Sequence, residues 1–242
     1  MIVRWKLRLS GDGFDLSFLE TMFTSDPLIR REGDRWFLSG DDIEKAGSVV
    51  EAHAVARPIL ARLNGIARLS DRRHNSVNLS GEVIDTETGS QGAVVLAGTI
   101  NLRSRVNLVV VVGDSQGETR QRDEVRLAEL TKTNAELARV AELLGGEGTD
   151  QDRLWRVFER IKDAVGSENA MVKTGLACAP EISAFRAWAN RPDVSGDRAR
   201  HEVLRGDAPR RAMNDAESWQ FVGGLVRAWA FGRESGGAGV VD

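Results

Sequence analysis

Strand-like alternation of apolar residues in this chain is confined to the part before residue 112, where helical stripes interrupt it, and does not return afterwards. Val3, Trp5, Leu7 and Leu9 alternate with Arg4, Lys6 and Arg8, as a strand with one buried face requires. Val77, Leu79, Gly81 and Val83 repeat the alternation, and residues 93–100 and 105–112 read as two further strands, the last apolar on both sides at Val109 to Val112. Beyond the polar connection at Gly113 to Thr119, apolar residues recur at helical spacing only. This order excludes an all-β chain and a regular β-α alternation. It implies an α+β fold, with an N-terminal antiparallel or mixed sheet and covering helices, followed by a C-terminal helical bundle.

Helices also interrupt the β-rich part. A short one is expected over residues 15–23, with Leu16, Leu19, Met22 and Phe23 on one side. Asp41, with Glu44 three residues later, predicts the start of a helix over 42–67. Its stripe is Val49, His53, Ala56, Leu60, Leu63 and Ala67, and Pro58 predicts a kink or a restart within it.

A long helix is expected over 121–144. Leu127, Leu130, Asn134, Leu137, Ala141 and Leu144 follow heptad spacing, with Asn134 as a polar member of the seam. The seam suits packing within the chain or a homodimer. Gly145, Gly146 and Gly148 then predict a loose link. The expected domains are an α+β domain over 1–146, a helical domain over 149–232 and a Gly-rich tail over 233–242. In the helical domain Thr149 is the expected cap of a helix burying Leu154, Phe158, Ile161 and Val165. A second helix is expected over 181–189. Asn214 and Glu217 form a capping box for a last helix carrying Trp219, Val222, Val226 and Trp229 and stopping at Gly232.

Composition narrows the function classes. A 41% apolar and 29% charged chain has the makeup of a folded domain rather than a disordered one. A net charge of -3 lacks the basic excess of a general nucleic-acid binder. One cysteine, Cys178, makes no internal disulfide and no thiolate zinc cluster. No cofactor or metal motif is present. The N-terminus reads as a strand rather than a signal peptide, no apolar run is long enough to span a membrane, and cytoplasm is the expected location.

The titratable candidates are few. His53 lies on an apolar helix stripe and reads as a packing histidine. His74 lies in the charged run Ser70-Asp71-Arg72-Arg73-His74-Asn75 and reads as a surface residue, with anion binding as its rival role. His201 follows Arg198 and Arg200 and precedes Arg205. Guanidinium forks beside an imidazole are suited to holding a phosphate ester and moving a proton to it. The same residues also suit a turn closed on nearby carboxylates.

The stretch Phe185-Arg-Ala-Trp-Ala-Asn190-Arg-Pro192-Asp-Val-Ser-Gly196-Asp-Arg-Ala-Arg200-His201 resembles a pattern in an uncharacterised group of bacterial proteins. Pro209, Met213, Glu217 and the helix with Trp229 extend the resemblance, which covers residues 150–231. It implies a helical region and bacterial relatives, and no activity. The helical HEPN ribonucleases carry an Arg followed by four to six residues and then a His on a helix, whereas Arg198 and Arg200 stand closer to His201 and Arg191 farther. The expected function is therefore a noncatalytic interaction or regulatory protein, self-associating or bound to a protein partner. The alternatives are a phosphate-ester or RNA-directed protein using Arg198, Arg200, His201 and Arg205, and a small-molecule sensor with a pocket beside Trp36, His53 and Pro58.

Overall fold

The computed structural model describes residues 4–94, 115–146, 148–191 and 211–236. Of the expected strand at 93–100 only Ala93 and Val94 are described, and the expected strand at 105–112 and the candidates Arg198, Arg200, His201 and Arg205 lie outside the described residues. The chain divides into two compact units, Met1–Ala128 and Glu129–Asp242. No helix of the described residues is long and apolar enough to cross a membrane.

The N-terminal unit is built on an antiparallel sheet. Its strands are β1 (Trp5–Ser10), β2 (Leu28–Glu32), β3 (Arg35–Ser39), β4 (Asn78–Asp85) and β5 (Gln91–Ala93), in the order β2-β3-β1-β4-β5. The alternation in β1 is realised: Trp5, Leu7 and Leu9 are buried, and Lys6 and Arg8 are half-buried on the outer face. There Lys6 pairs with Glu32 at 2.6 Å, and Glu82 takes Arg8 at 2.8 Å and Arg35 at 3.4 Å. The Lys6–Glu32 pair crosses β3, the strand between them, where Phe37 is buried.

Helices α1 (Gly13–Met22), α2 (Asp41–Glu44) and α3 (Val49–Ser70) belong to this unit. The helix expected over 42–67 is two helices, because Ser48 caps α3 by accepting from the Glu51 amide at 3.2 Å. Gly40, rather than Asp41, precedes α2. A Cβ at Gly40 would lie 2.7 Å from Asp26 Oδ1, the oxygen that accepts from the Asp41 amide, so a side chain there would displace that carboxylate. Helix α3 runs through Pro58 as one element. Pro58 removes the donor for the Ala54 carbonyl, and Ala54 is an exposed residue, so the loss falls on the solvent side of the helix. Edge strand β2 is closed by α1: the outward Ile29 amide donates to the Phe23 carbonyl at 3.2 Å, and the outward Arg31 amide to Glu20 Oε1 at 3.0 Å.

The expected single helix at 121–144 is α4 (Ser115–Thr133) and α5 (Ala135–Gly145). Asn134 does not sit in a seam. Its backbone leaves helical geometry, at φ -111 and ψ 98, and its Oδ1 accepts from the Leu137 amide at 3.0 Å. An asparagine that satisfies an orphan amide favours a helix start over a helix interior.

The boundary also differs from the expected glycine link, since the units divide within α4, at Ala128. Helix α5 packs on α6 (Asp150–Val165) within the C-terminal unit. Gly145 is buried and the Gly146 carbonyl accepts from Arg153 Nε at 2.8 Å, so these glycines serve a fixed turn.

Helices α7 (Glu168–Lys173), α8 (Ala179–Asn190) and α9 (Asp215–Gly236) complete the unit. Thr149 caps α6 and Asn214 and Glu217 form the capping box of α9, as expected, but α9 continues past Gly232 to Gly236. The core holds Phe158 and Phe185, with ring centres 5.1 Å apart, and Phe221 5.3 Å from Phe185. Two indoles lock helix starts: Trp188 Nε1 donates to Asp215 at 2.8 Å and Trp219 Nε1 to Asp150 at 3.1 Å. Each acceptor is the first residue of its helix, where the dipole also favours a carboxylate.

Two measurements test these assignments. Asn134→Ala should cost about 1 kcal/mol in chemical denaturation and Asn134→Asp much less, as a cap requires; equal effects would contradict it. His53 is buried on α3, and burial, then the charge of Arg57, holds its pKa below the ordinary value. The unfolded chain therefore takes up this proton first, and stability should fall as pH drops below about 6.5. His53→Leu should flatten that part of a thermal-melt pH series.

Candidate functional site

Polar residues on otherwise apolar helix faces lead to a buried titratable cluster, Asp15, His74 and Arg68. Asp15 shares the buried side of α1 with Leu16 and Leu19, and Asn64 lies between Leu60 and Ala67 on the buried side of α3. Neither can stay there without partners. The segment 71–77 between α3 and β4 supplies them.

His74 is at the centre, and it is buried, at 3% exposure. The expectation of a surface histidine is thus corrected: the charges around it face water while the ring turns inward. Its Nε2 lies 3.1 Å from Asn64 Oδ1. That amide is held by Val77, whose N–H donates to Oδ1 at 2.9 Å and whose carbonyl accepts from Nδ2 at 2.8 Å. With Oδ1 fixed as an acceptor, Nε2 is the donor. His74 Nδ1 lies 3.2 Å from Asp15 Oδ1, a charge contact whose N–H points off the hydrogen-bond line. Asn75 donates to both Asp15 oxygens at 3.2 Å, from its amide N and from Nδ2. Arg68 donates from Nε to the His74 carbonyl at 3.1 Å and from Nη2 to Ser76 Oγ at 3.1 Å. Phe18 lies against the imidazole, with centroids 5.9 Å apart. Burial alone would raise the Asp15 pKa; the donors and charge of His74 and the Asn75 bonds outweigh it and hold the carboxyl below its usual range.

An Asp-His contact is the orienting half of a nucleophile-activating device. Here the ring nitrogen that would face a nucleophile faces Asn64 instead. The cluster can position a segment; it cannot deliver a proton to a bound molecule.

The other sequence candidates scatter. Of the seam residues, Leu127, Leu137, Ala141 and Leu144 are buried and Leu130 is half-buried. Trp36 is tied to Glu20 at 3.2 Å and lies under the Arg31 guanidinium. Cys178 is exposed, and its amide donates to Glu181 at the start of α8. Asp12 caps α1, while Asp41 and Asp42 open α2; among the described residues no three His, Cys, Asp or Glu side chains group as metal ligands.

A surface feature absent from the sequence reading is a cleft of about 180 Å³ between α7 and α8. Val172, Ala179 and Ile182 give it an apolar floor, and Asn169, Ser183 and the Glu168–Arg186 pair, at 3.2 Å, line its polar side. Val172 is 40% exposed. The signal for it was the i, i+3, i+4, i+7 spacing of Ala179, Ile182, Ser183 and Arg186. In comparisons with known proteins, no family model, curated protein or solved structure matches the chain.

The cluster makes a pH prediction. Asp15 has a lowered folded pKa, so its contribution to stability is complete above the unfolded value near 3.9 and is lost as pH falls through the folded one. Asp15→Asn should cost about 3 kcal/mol near neutral pH, because it leaves the Asn75 donors and the His74 ring facing a neutral amide. It should also reduce the acid-induced loss of stability below about pH 4. Unchanged denaturation curves would show that the cluster holds nothing.

Proposed function

We propose that the chain is a noncatalytic interaction protein that binds through exposed apolar surface, with the helical unit as one binding module. The observation that carries this reading is the α7–α8 cleft. It joins an apolar floor to a charged pair, the combination by which a small contact patch both attracts and orients a partner side chain. The volume is suited to one or two inserted side chains rather than to a drug-sized ligand. Self-association is the simplest version of the reading, and a different protein partner is the other.

Cys178 gives a direct reporter, since it is exposed, adjoins the lining residue Ala179 and is the only cysteine. An environment-sensitive dye on Cys178, followed while concentration rises and mass is measured by light scattering, should change emission as the mass increases. Val172→Glu should remove both changes and leave circular dichroism as it was. A chain that stays monomeric, with a dye indifferent to concentration, would eliminate self-association through this cleft.

A further inference from the structure

The α7–α8 cleft holds more polar capacity than the described residues use. Arg186 meets Glu168 through Nη1 alone, 3.3 Å from Oε1 and 3.2 Å from Oε2. Its Nε and Nη2 make no hydrogen bond or ion pair among the described residues, and the residue is exposed. Asn169 and Ser183, also exposed, have side chains with no hydrogen bond among the described residues. The planar edge formed by Nε and Nη2 can take one carboxylate bidentately. The same cleft presents Val172, Ala179 and Ile182. The occupant it fits is therefore one or two small apolar side chains next to a carboxylate.

The chain carries such a segment after α9. Residues 237–242 read Gly-Ala-Gly-Val-Val-Asp, so two apolar side chains and a carboxylate follow a spacer with no side chain larger than a methyl. The segment of the same copy is poorly placed to fill the cleft. Trp188 meets Asp215 and Phe185 meets Phe221, so α8 and α9 run antiparallel. From Phe221 to Gly236 α9 rises about 22 Å, against about 9 Å from Phe185 back to Ala179. Its end thus lies about 13 Å past the cleft. Ala179 and Trp188 also fall on opposite sides of α8 at about 3.6 residues per turn, so the cleft faces away from α9. From Gly236 to Val240 the chain spans at most about 14 Å, too little to cover that overshoot and pass round a helix about 10 Å across. A second copy has no such limit.

We infer that the α7–α8 cleft binds residues 240–242 of a second copy. Val240 and Val241 cover Val172 and Ile182, and the Asp242 carboxylate takes the Nε–Nη2 edge of Arg186. The inference rests on the reading of the cleft as a binding surface and names its occupant.

The test uses the full chain, with mass followed by light scattering. The double variant Val240→Asp, Val241→Asp should self-associate roughly tenfold more weakly than wild type, as expected for the loss of buried anchors. Arg186→Glu should weaken association as well, and adding Asp242→Arg to it should restore most of the loss. For exchange between copies, the dye is placed on Cys178 of the double valine variant, whose cleft is intact, and unlabelled Val172→Glu, whose segment is intact, is added. Emission should change and mass should rise, although neither variant associates alone. Circular dichroism should be the same for all variants. Wild-type association that ignores the valine changes, or Arg186→Glu that Asp242→Arg does not restore, would overturn the inference and leave the cleft reading standing. A dye on otherwise unchanged chain that responds to the valine changes while mass stays monomeric would place the segment in its own copy's cleft and overturn the exchange. A wild type that stays monomeric with no such response would overturn both the inference and self-association through the cleft.

Discussion

A carboxylate removed from water must be given donors or charge, and Asp15 is such a group. Everything local to it follows from that constraint. The donors come from Asn75 and the charge contact from His74, while Asn64 and Arg68 on α3 hold the segment that carries both. Two helices and a connecting segment are thereby fixed relative to one another by a polar group rather than by apolar packing alone. A buried ion pair is weak evidence of added stability, because its desolvation offsets most of its attraction. What it supplies is a single arrangement, since any other rotation of α1 would leave charge in the interior without a counterpart. The same rotation sets which side of α1 faces outward.

The C-terminal unit solves a related problem by a different route. Four of the chain's six tryptophans, Trp155, Trp188, Trp219 and Trp229, lie in this unit and make indole N–H groups a recurrent demand on it. For Trp188 and Trp219 the demand is met by aspartates at helix starts, so one carboxylate serves both the helix dipole and the indole. Gln151, next to Asp150, donates to the Trp188 and Ala189 carbonyls at 3.1 and 2.8 Å, which anchors the last turn of α8. Helix ends thus carry much of the specificity, while the tilted rings of Phe158, Phe185 and Phe221 pack together in the apolar interior.

The alternation of β1, the cap at Thr149 and the capping box at Asn214 were legible because each depends on residues close in sequence. The misread elements depended on distant ones or on a choice between two local uses of one residue. Asn134 suits a heptad position and a helix start equally by spacing, and the reach of its side chain to the Leu137 amide decides between them. Gly145 and Gly146 suggest a loose link until Arg153 is seen to bind the Gly146 carbonyl. His74 sits among charges that face water, and its partner Asp15 is far away in sequence. The polar residues on the apolar stripes of α1 and α3 were the available sign that a buried partner was needed. The arginine and histidine run around His201 falls outside the described residues, and its chemistry stands as the residues alone suggest.

The closure of β2 has a consequence for how copies of this chain meet. Its outward amides at Ile29 and Arg31 already hold the Phe23 carbonyl and the Glu20 carboxylate. A foreign strand arriving on that side finds no ladder to continue, so templated, fibre-like growth is disfavoured there by the protein's own backbone. Recognition on that flank is left to side chains, whose shapes and charges discriminate among partners in a way that a bare strand edge, equally receptive to almost any extended chain, does not.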